Sequence, residues 1–313
     1  MRVRDSQDKL PGSAIGAAVL IAAVWGFNFV VIKVGVSGMP PLMLAALRFF
    51  FSALPAVLFV KKPAAPMRKV AVYGLLLGVG EFGFLFTAIK LGAPSGLSSI
   101  LLQSQAFFTA ILAALFLGEK LRSHNVIGMV IAAAGLAVFA FSSSGGAGGM
   151  SPLLLSMIAL AALGWAGANI VARKMPGASA LGLMVWSSLF SPLPLAALSF
   201  AFEGPRAIGA AFRDISVLTV GALAYLVLLS TLLGYGLWNR LIMRHGAGRI
   251  APFSLMVPIF GLASASLVLG ENFGPVDAIG AALVLGGLLV HVFGGRLGGQ
   301  GRKKAGLQTE AAR

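Results

Sequence analysis

Cysteine is absent from this 313-residue chain. That excludes a disulfide scaffold, a thiolate metal site and a cysteine nucleophile together. Histidine is scarce, and His124, His245 and His291 are too dispersed along the sequence to form a ligand cluster, so no metal is expected. Charge is thin as well: 11% of residues are charged, against roughly 25% in a soluble domain. No G-x-x-x-x-G-K-[ST] loop occurs, so direct ATP coupling within this chain is not expected, and no cofactor is called for. Apolar residues fill the space instead. They make up 58% of the chain, with 41 glycines besides, and mean hydropathy is +0.94. A single soluble core stops growing near roughly 250–300 residues and could not hide this much apolar surface. The chain reads as an all-α integral membrane protein whose first partner is the lipid bilayer.

The net charge of +15 would suggest nucleic acid in a soluble protein. Here the basic residues lie in short clusters between long apolar runs, which is a topological pattern, so no nucleic-acid partner is expected. The stretch Met1–Lys9 is basic, but the apolar run after it is too long for the core of a cleaved signal and lacks a small-x-small exit.

A membrane span needs about 20 mainly apolar residues. That ruler predicts ten: Ser13–Gly35, Pro41–Val60, Val70–Lys90, Pro94–Leu117, His124–Ser142, Pro152–Ala172, Ala180–Phe202, Ile215–Trp238, Ile250–Leu269 and Val276–Gly294. Alternate loops then hold 19 Lys and Arg on one side, from Arg2 to Arg313. The other side holds four: Lys33, Lys90, Arg206 and Arg213. Arg48 stays inside a span. The positive-inside rule predicts both termini in the cytoplasm of an inner-membrane protein.

The two halves resemble each other. Trp25-Gly26-Phe27-Asn28 with Lys33 in the first span is answered by Trp165-Ala166-Gly167-Ala168-Asn169 with Arg173 in the sixth. Leu117-Gly118-Glu119 closes the fourth span as Leu269-Gly270-Glu271 closes the ninth. With five spans each, an odd number, the halves must insert in opposite senses, which is the inverted-repeat architecture of alternating-access carriers. Residues 1–142 form the first repeat, 143–150 a periplasmic Gly/Ser linker, 151–295 the second repeat and 296–313 a basic cytoplasmic tail.

These elements, with the Leu47-Arg48-Phe49 triplet of span two, resemble the drug/metabolite transporter superfamily, and the paired five-span halves resemble its EamA-type domains. The resemblance covers roughly residues 13–294 and is nearest in kind to YddG-like amino-acid exporters. It implies a ten-span exporter of amino acids and related metabolites. One departure is that the fourth span carries Gln103-Ser104-Gln105 and no internal proline, where the ninth has Pro252 and Pro258.

Polar groups at mid-depth point to the cargo, because an ionised side chain there costs about 2.5–3.5 kcal/mol even on lenient insertion scales. Glu81, central in the third span, reads either as a cavity residue facing an ammonium group or carrying a proton, or as a structural partner of Arg48. Arg48 lies about 10 Å inside its span at 1.5 Å per residue. It suits a substrate carboxylate or a structural pairing. Gln103 and Gln105 are two residues apart on a helix and cannot share a face, so one should line a cavity and the other bond a neighbouring helix. Trp238 and Tyr73, at span ends, fit the interfacial belt, whereas Trp25, Trp165 and Tyr225 lie near the midplane.

The candidate substrate-binding set is Trp25, Asn28, Glu81, Phe82, Gln103, Gln105, Trp165, Tyr225, Ser254 and Pro258, with Arg48 and Lys33 as structural or gating residues. An aromatic and amide surface with one acid suits a small zwitterion or amine. Efflux of drugs or organic cations by the same fold is the alternative reading. A membrane-embedded enzyme would need a converging His, Asp or Ser constellation that the sequence lacks. Oligomeric state is not legible.

Overall fold

The computed structural model describes residues 10–142 and 150–310, and every regular element among them is helical. The basic segment 1–9, linker residues 143–149 and the last residues of the tail, 311–313, lie outside the described residues. Ten long helical segments follow one another among the described residues: α1 (Gly12–Gly38), α2 (Pro41–Leu58), α3 (Met67–Lys90), α4 (Ser95–Leu117), α5 (Ser123–Ser142), α6 (Pro152–Arg173), a bent α7 (Ala180–Ser187 and Pro192–Phe202), α8 (Val217–His245), α9 (Ala251–Leu269) and α10 (Pro275–Glu310). Eight of these are long and apolar enough to cross a membrane as single helices, α10 through Pro275–Gly294, and α7 makes nine if its halves, bent by 45°, form one span. α5 is the exception to the expected ten. Its apolar stretch, Ser123–Phe139, falls below a full span. The last helix, α10, runs on to Glu310.

Local chemistry sets the ends. Proline at the first helical position starts α2 and α6, where its missing N–H and fixed φ cost nothing. Ser151, Ser179 and Ser216 cap α6, α7 and α8 by accepting from Leu154, Gly182 and Thr219 amides. The two Leu-Gly-Glu sequences end α4 and α9 in the same way. Gly118 and Gly270 take left-handed φ of 69° and 66°, and the amides of Glu119 and Glu271 reach back to the carbonyls of Ala113 and Ala265, both at 3.3 Å. That turn admits glycine readily and leaves the following carboxylate free to bond elsewhere.

Packing pairs the halves. α1 lies against α8 and α9 as α6 lies against α3 and α4, while α4 meets α9, α2 meets α7 and α5 meets α10. Glycines permit the closest contacts. Gly74 and Gly78 of α3 face Ser187 and Ser191 of α7, and Ser191 Oγ donates to the Gly74 carbonyl at 2.8 Å. Gly128 and Gly135 of α5 abut Gly287 and Gly280 of α10 in antiparallel register. The regular turn is broken at four matched places. α3 and α8 widen to π-type turns at Leu76–Gly83 and Tyr225–Leu233, and α4 and α9 tighten to 3-10 turns at Leu102–Ser104 and Ala251–Met256. Such breaks recur at functional sites.

Candidate functional site

The four irregular turns surround one central cavity of about 660 Å³. This size suits a small ligand. Its wall reaches Ala180, Ile242 and Ala251, each near a helix end on the face that carries the basic loops, and Val292, near the end of the apolar stretch of α10, so the cavity extends to that side. At the opposite end of the bundle a carboxylate joins α9 to α4. Glu271, beyond the end of α9, accepts from the Ser95 amide (2.7 Å) and the Gly96 amide (3.0 Å) at the start of α4. Its sequence counterpart Glu119 does nothing comparable. It pairs with Arg173 at 2.7 Å on the basic face, both side chains about half exposed.

Within the cavity wall α3 contributes Glu81 from its wide turn, buried and accepting no hydrogen bond from the described residues. Beside it Phe82 presents its ring to Arg48 of α2, whose guanidinium carbon lies 4.0 Å from the ring centroid. Arg48 is 2% exposed, and its Nη2 donates to Thr231 Oγ1 at 3.3 Å. Thr231 in turn donates to the Leu226 carbonyl across the wide turn of α8. Arg48 comes within ion-pair distance of no carboxylate among the described residues, Glu81 included. α1 adds Trp25, whose indole N–H donates to the Ser230 carbonyl at 3.0 Å and whose ring packs against Tyr235 and Trp238. Asn28 is buried one turn on, with its side-chain oxygen unbonded.

Nine of the twelve named candidates share this wall: Trp25, Asn28, Arg48, Glu81, Phe82, Gln103, Gln105, Trp165 and Ser254. Three do not. Tyr225 donates its hydroxyl to the Val24 carbonyl at 2.9 Å and packs edge-on to Phe27, because the wide turn it opens carries it onto the flank of α1. Pro258 is buried where α9 meets α4, its carbonyl 3.4 Å from Ser99 Oγ. Lys33 bonds the Ile89 carbonyl at 3.2 Å, at the end of α3 on the side of Glu271.

Other expectations are corrected by the same geometry. Both glutamines line the cavity, since α4 tightens to a 3-10 turn just before Gln105 and changes register between them. Gln105 also accepts from the Asn169 side-chain amide at 2.9 Å. Tyr73 and Trp238, expected in the interfacial belt, line the cavity because it runs out between the ends of α3 and α8. Tyr235 and Asn169 were not among the candidates. Asn169 stands in the repeated Trp…Asn element and was legible there, while nothing in the sequence marks Tyr235 off from a packing residue.

A bundle of apolar helices around a central cavity that carries a few buried polar groups is compatible with transport, and comparison with known proteins decides the family. The EamA-like transporter family matches residues 12–141 and again 153–293. The chain belongs to that family. It is therefore a multi-pass membrane transporter and not an enzyme. Two relatives named "Probable amino-acid metabolite efflux pump" are similar along most of their length. The Salmonella typhimurium protein is 42% identical over 90% of this chain and 95% of its own. The Escherichia coli protein is 40% identical over 88% and 94%. A "Probable terminal-alkyne amino-acid exporter" of Streptantibioticus cattleyicolor is 28% identical over 88% and 92%. A solved structure superposes with a TM-score of 0.58 at 19% identity, over 89% of this chain and 95% of that one, a likeness of fold. In this EamA-like chain the two matched segments fall on either side of the 143–149 stretch.

Proposed function

We propose that this EamA-like transporter exports amino acids with aromatic or other apolar side chains, and related metabolites, across the inner membrane by alternating access. The observation that carries the reading is the cavity itself. One buried carboxylate, one buried guanidinium and four side-chain amides stand among aromatic rings in a space sized for a small metabolite. The names of the two relatives at 40–42% identity support the same cargo class.

The topology proposed is ten spans in two inverted five-helix repeats, with both termini and the basic loops in the cytoplasm. α5 then crosses with α10, its antiparallel partner along the glycine contacts at 128 and 135. The matched packing of α1 with α8 and α9, and of α6 with α3 and α4, supports the repeat. On this orientation the cavity is open to the cytoplasm and Glu271 holds the outer end closed.

The direct test is reconstitution in liposomes with labelled aromatic, aliphatic, basic and acidic amino acids. Saturable uptake of the aromatic or aliphatic types is expected. Folded protein that moves none of them, while moving organic cations, overturns the amino-acid reading.

The closure makes its own prediction. Glu271 makes two charge-assisted bonds to α4, a class worth about 1.5–3 kcal/mol each. Glu271→Ala shifts the equilibrium toward an outward-open form by at least about tenfold. Because the chain has no cysteine, spin labels at Leu91→Cys and Asn272→Cys report on that end alone. A longer distance between them should grow in population, and an unchanged distribution removes Glu271 from the closure.

A further inference from the structure

Arg48 is an unusual group to leave in an apolar bundle. It is 2% exposed, stacked at 4.0 Å on Phe82, and bonded through one nitrogen to a hydroxyl. Its Nε and Nη1 are buried without any partner, and no carboxylate stands within ion-pair distance among the described residues. A guanidinium stays protonated, so it brings a full charge and several unmade N–H bonds into low dielectric. A buried charge of this kind is costly unless paired. Packing on Phe82 and a bond to Thr231 offset part of that cost, and neither supplies an anion.

The same wall holds the complementary deficit. Glu81 is 4% exposed and accepts no hydrogen bond from the described residues, and the Asn28 side-chain oxygen is buried without a donor. Arg48 and Glu81 attract each other across the wall without touching, so the cavity lacks a contacting anion for Arg48 and a contacting donor-rich cation for Glu81 and Asn28. A zwitterion supplies both and leaves the site neutral. An amine without a carboxylate leaves Arg48 unpaired, and a carboxylic acid without an amine leaves Glu81 unpaired.

Resting on the amino-acid reading above, we infer that Arg48 is the substrate-carboxylate anchor of the cavity and that, with Glu81 and Asn28 receiving the ammonium group, it makes the site selective for zwitterions over amines and carboxylic acids of the same side chain. Arg48 is then a specificity residue and not the structural one its place near a helix start suggests.

Three of the four tryptophans, Trp25, Trp165 and Trp238, line the cavity, so intrinsic fluorescence reads occupancy directly in detergent-purified full-length protein. The probes are phenylalanine, phenylalaninamide and 3-phenylpropionate, which share one side chain and differ in charge. Wild-type protein should bind phenylalanine roughly 10- to 100-fold more tightly than either analogue, the range expected for one charge-assisted pair. In Arg48→Gln the preference over phenylalaninamide should vanish, through weakened phenylalanine binding, while phenylalaninamide binds about as before. Arg48→Lys keeps the charge but not the planar donor set. It should retain part of the preference, and it carries the test if the glutamine variant does not fold. A folded Arg48 variant with the wild-type ratio overturns the anchor role and leaves amino-acid transport standing. Wild-type protein that binds the amide and not the amino acid overturns both.

Discussion

Glu81→Gln should abolish most amino-acid flux while leaving the protein folded. The carboxylate sits in the wide turn of α3 on the cavity wall and accepts no hydrogen bond from the described residues, so the fold does not depend on its charge. A substrate ammonium does. Exchanging a carboxylate for an amide of the same shape removes a charge-assisted bond of about 1.5–3 kcal/mol, or roughly 10- to 100-fold in affinity. Melting temperature should hold or rise, since a desolvated charge is removed with no ion pair broken. Initial uptake rates in liposomes, alongside the thermal melt, check both parts. Wild-type flux in the variant would place Glu81 outside the transport cycle, and a collapsed melt would make it structural.

The second large effect is structural. Gly164 of α6 meets the backbone of α3 so closely that an added Cβ would stand 2.5 Å from the Gly80 carbonyl carbon, 2.7 Å from its oxygen and 2.8 Å from the Glu81 amide. Those are backbone atoms, which cannot rotate away as a side chain does. Gly164→Val must therefore push α6 off α3 beside the turn that aims Glu81. Overpacking of this kind costs typically about 1–3 kcal/mol, and a contact with no flexible partner belongs at the upper end. The expected result is a lowered melting temperature, loss of a single species on gel filtration, and flux lost with it. Gly167→Ala is the control one turn along, where the new methyl meets only the Leu76 side chain, at 3.4 Å. It should behave as wild type. Equal tolerance of both substitutions would show that the α3–α6 contact yields.

Much of this was open to reading along the chain. Span positions follow from apolar runs and the repeat from two short motifs, because both are local patterns that survive without coordinates. The Leu-Gly-Glu endings are a case in point. Glycine at a left-handed cap is a backbone requirement, and it shows in the sequence as a fixed dipeptide before the acid. Depth ranking also found most of the cavity, since a polar side chain in the middle of an apolar run has few places to go. It failed for Tyr225 and for Tyr73, where depth is the same whichever way a helix is turned. The π-type turns of α3 and α8 alter that rotation, and no residue pattern announces them.

Composition and charge spacing by themselves determined that this is a many-spanning membrane protein, and the motifs its kinship, because hydrocarbon imposes apolar runs of fixed length and loops carry the orienting charge. Tertiary structure alone decided that Arg48 and Glu81 share one cavity wall without forming an ion pair, that Gln103 and Gln105 both reach the cavity, and that Glu271 caps α4 while Glu119 turns to Arg173. The reason is physical: each of these depends on the rotation and separation of helices distant in sequence, set by close glycine contacts and broken turns that periodicity does not encode.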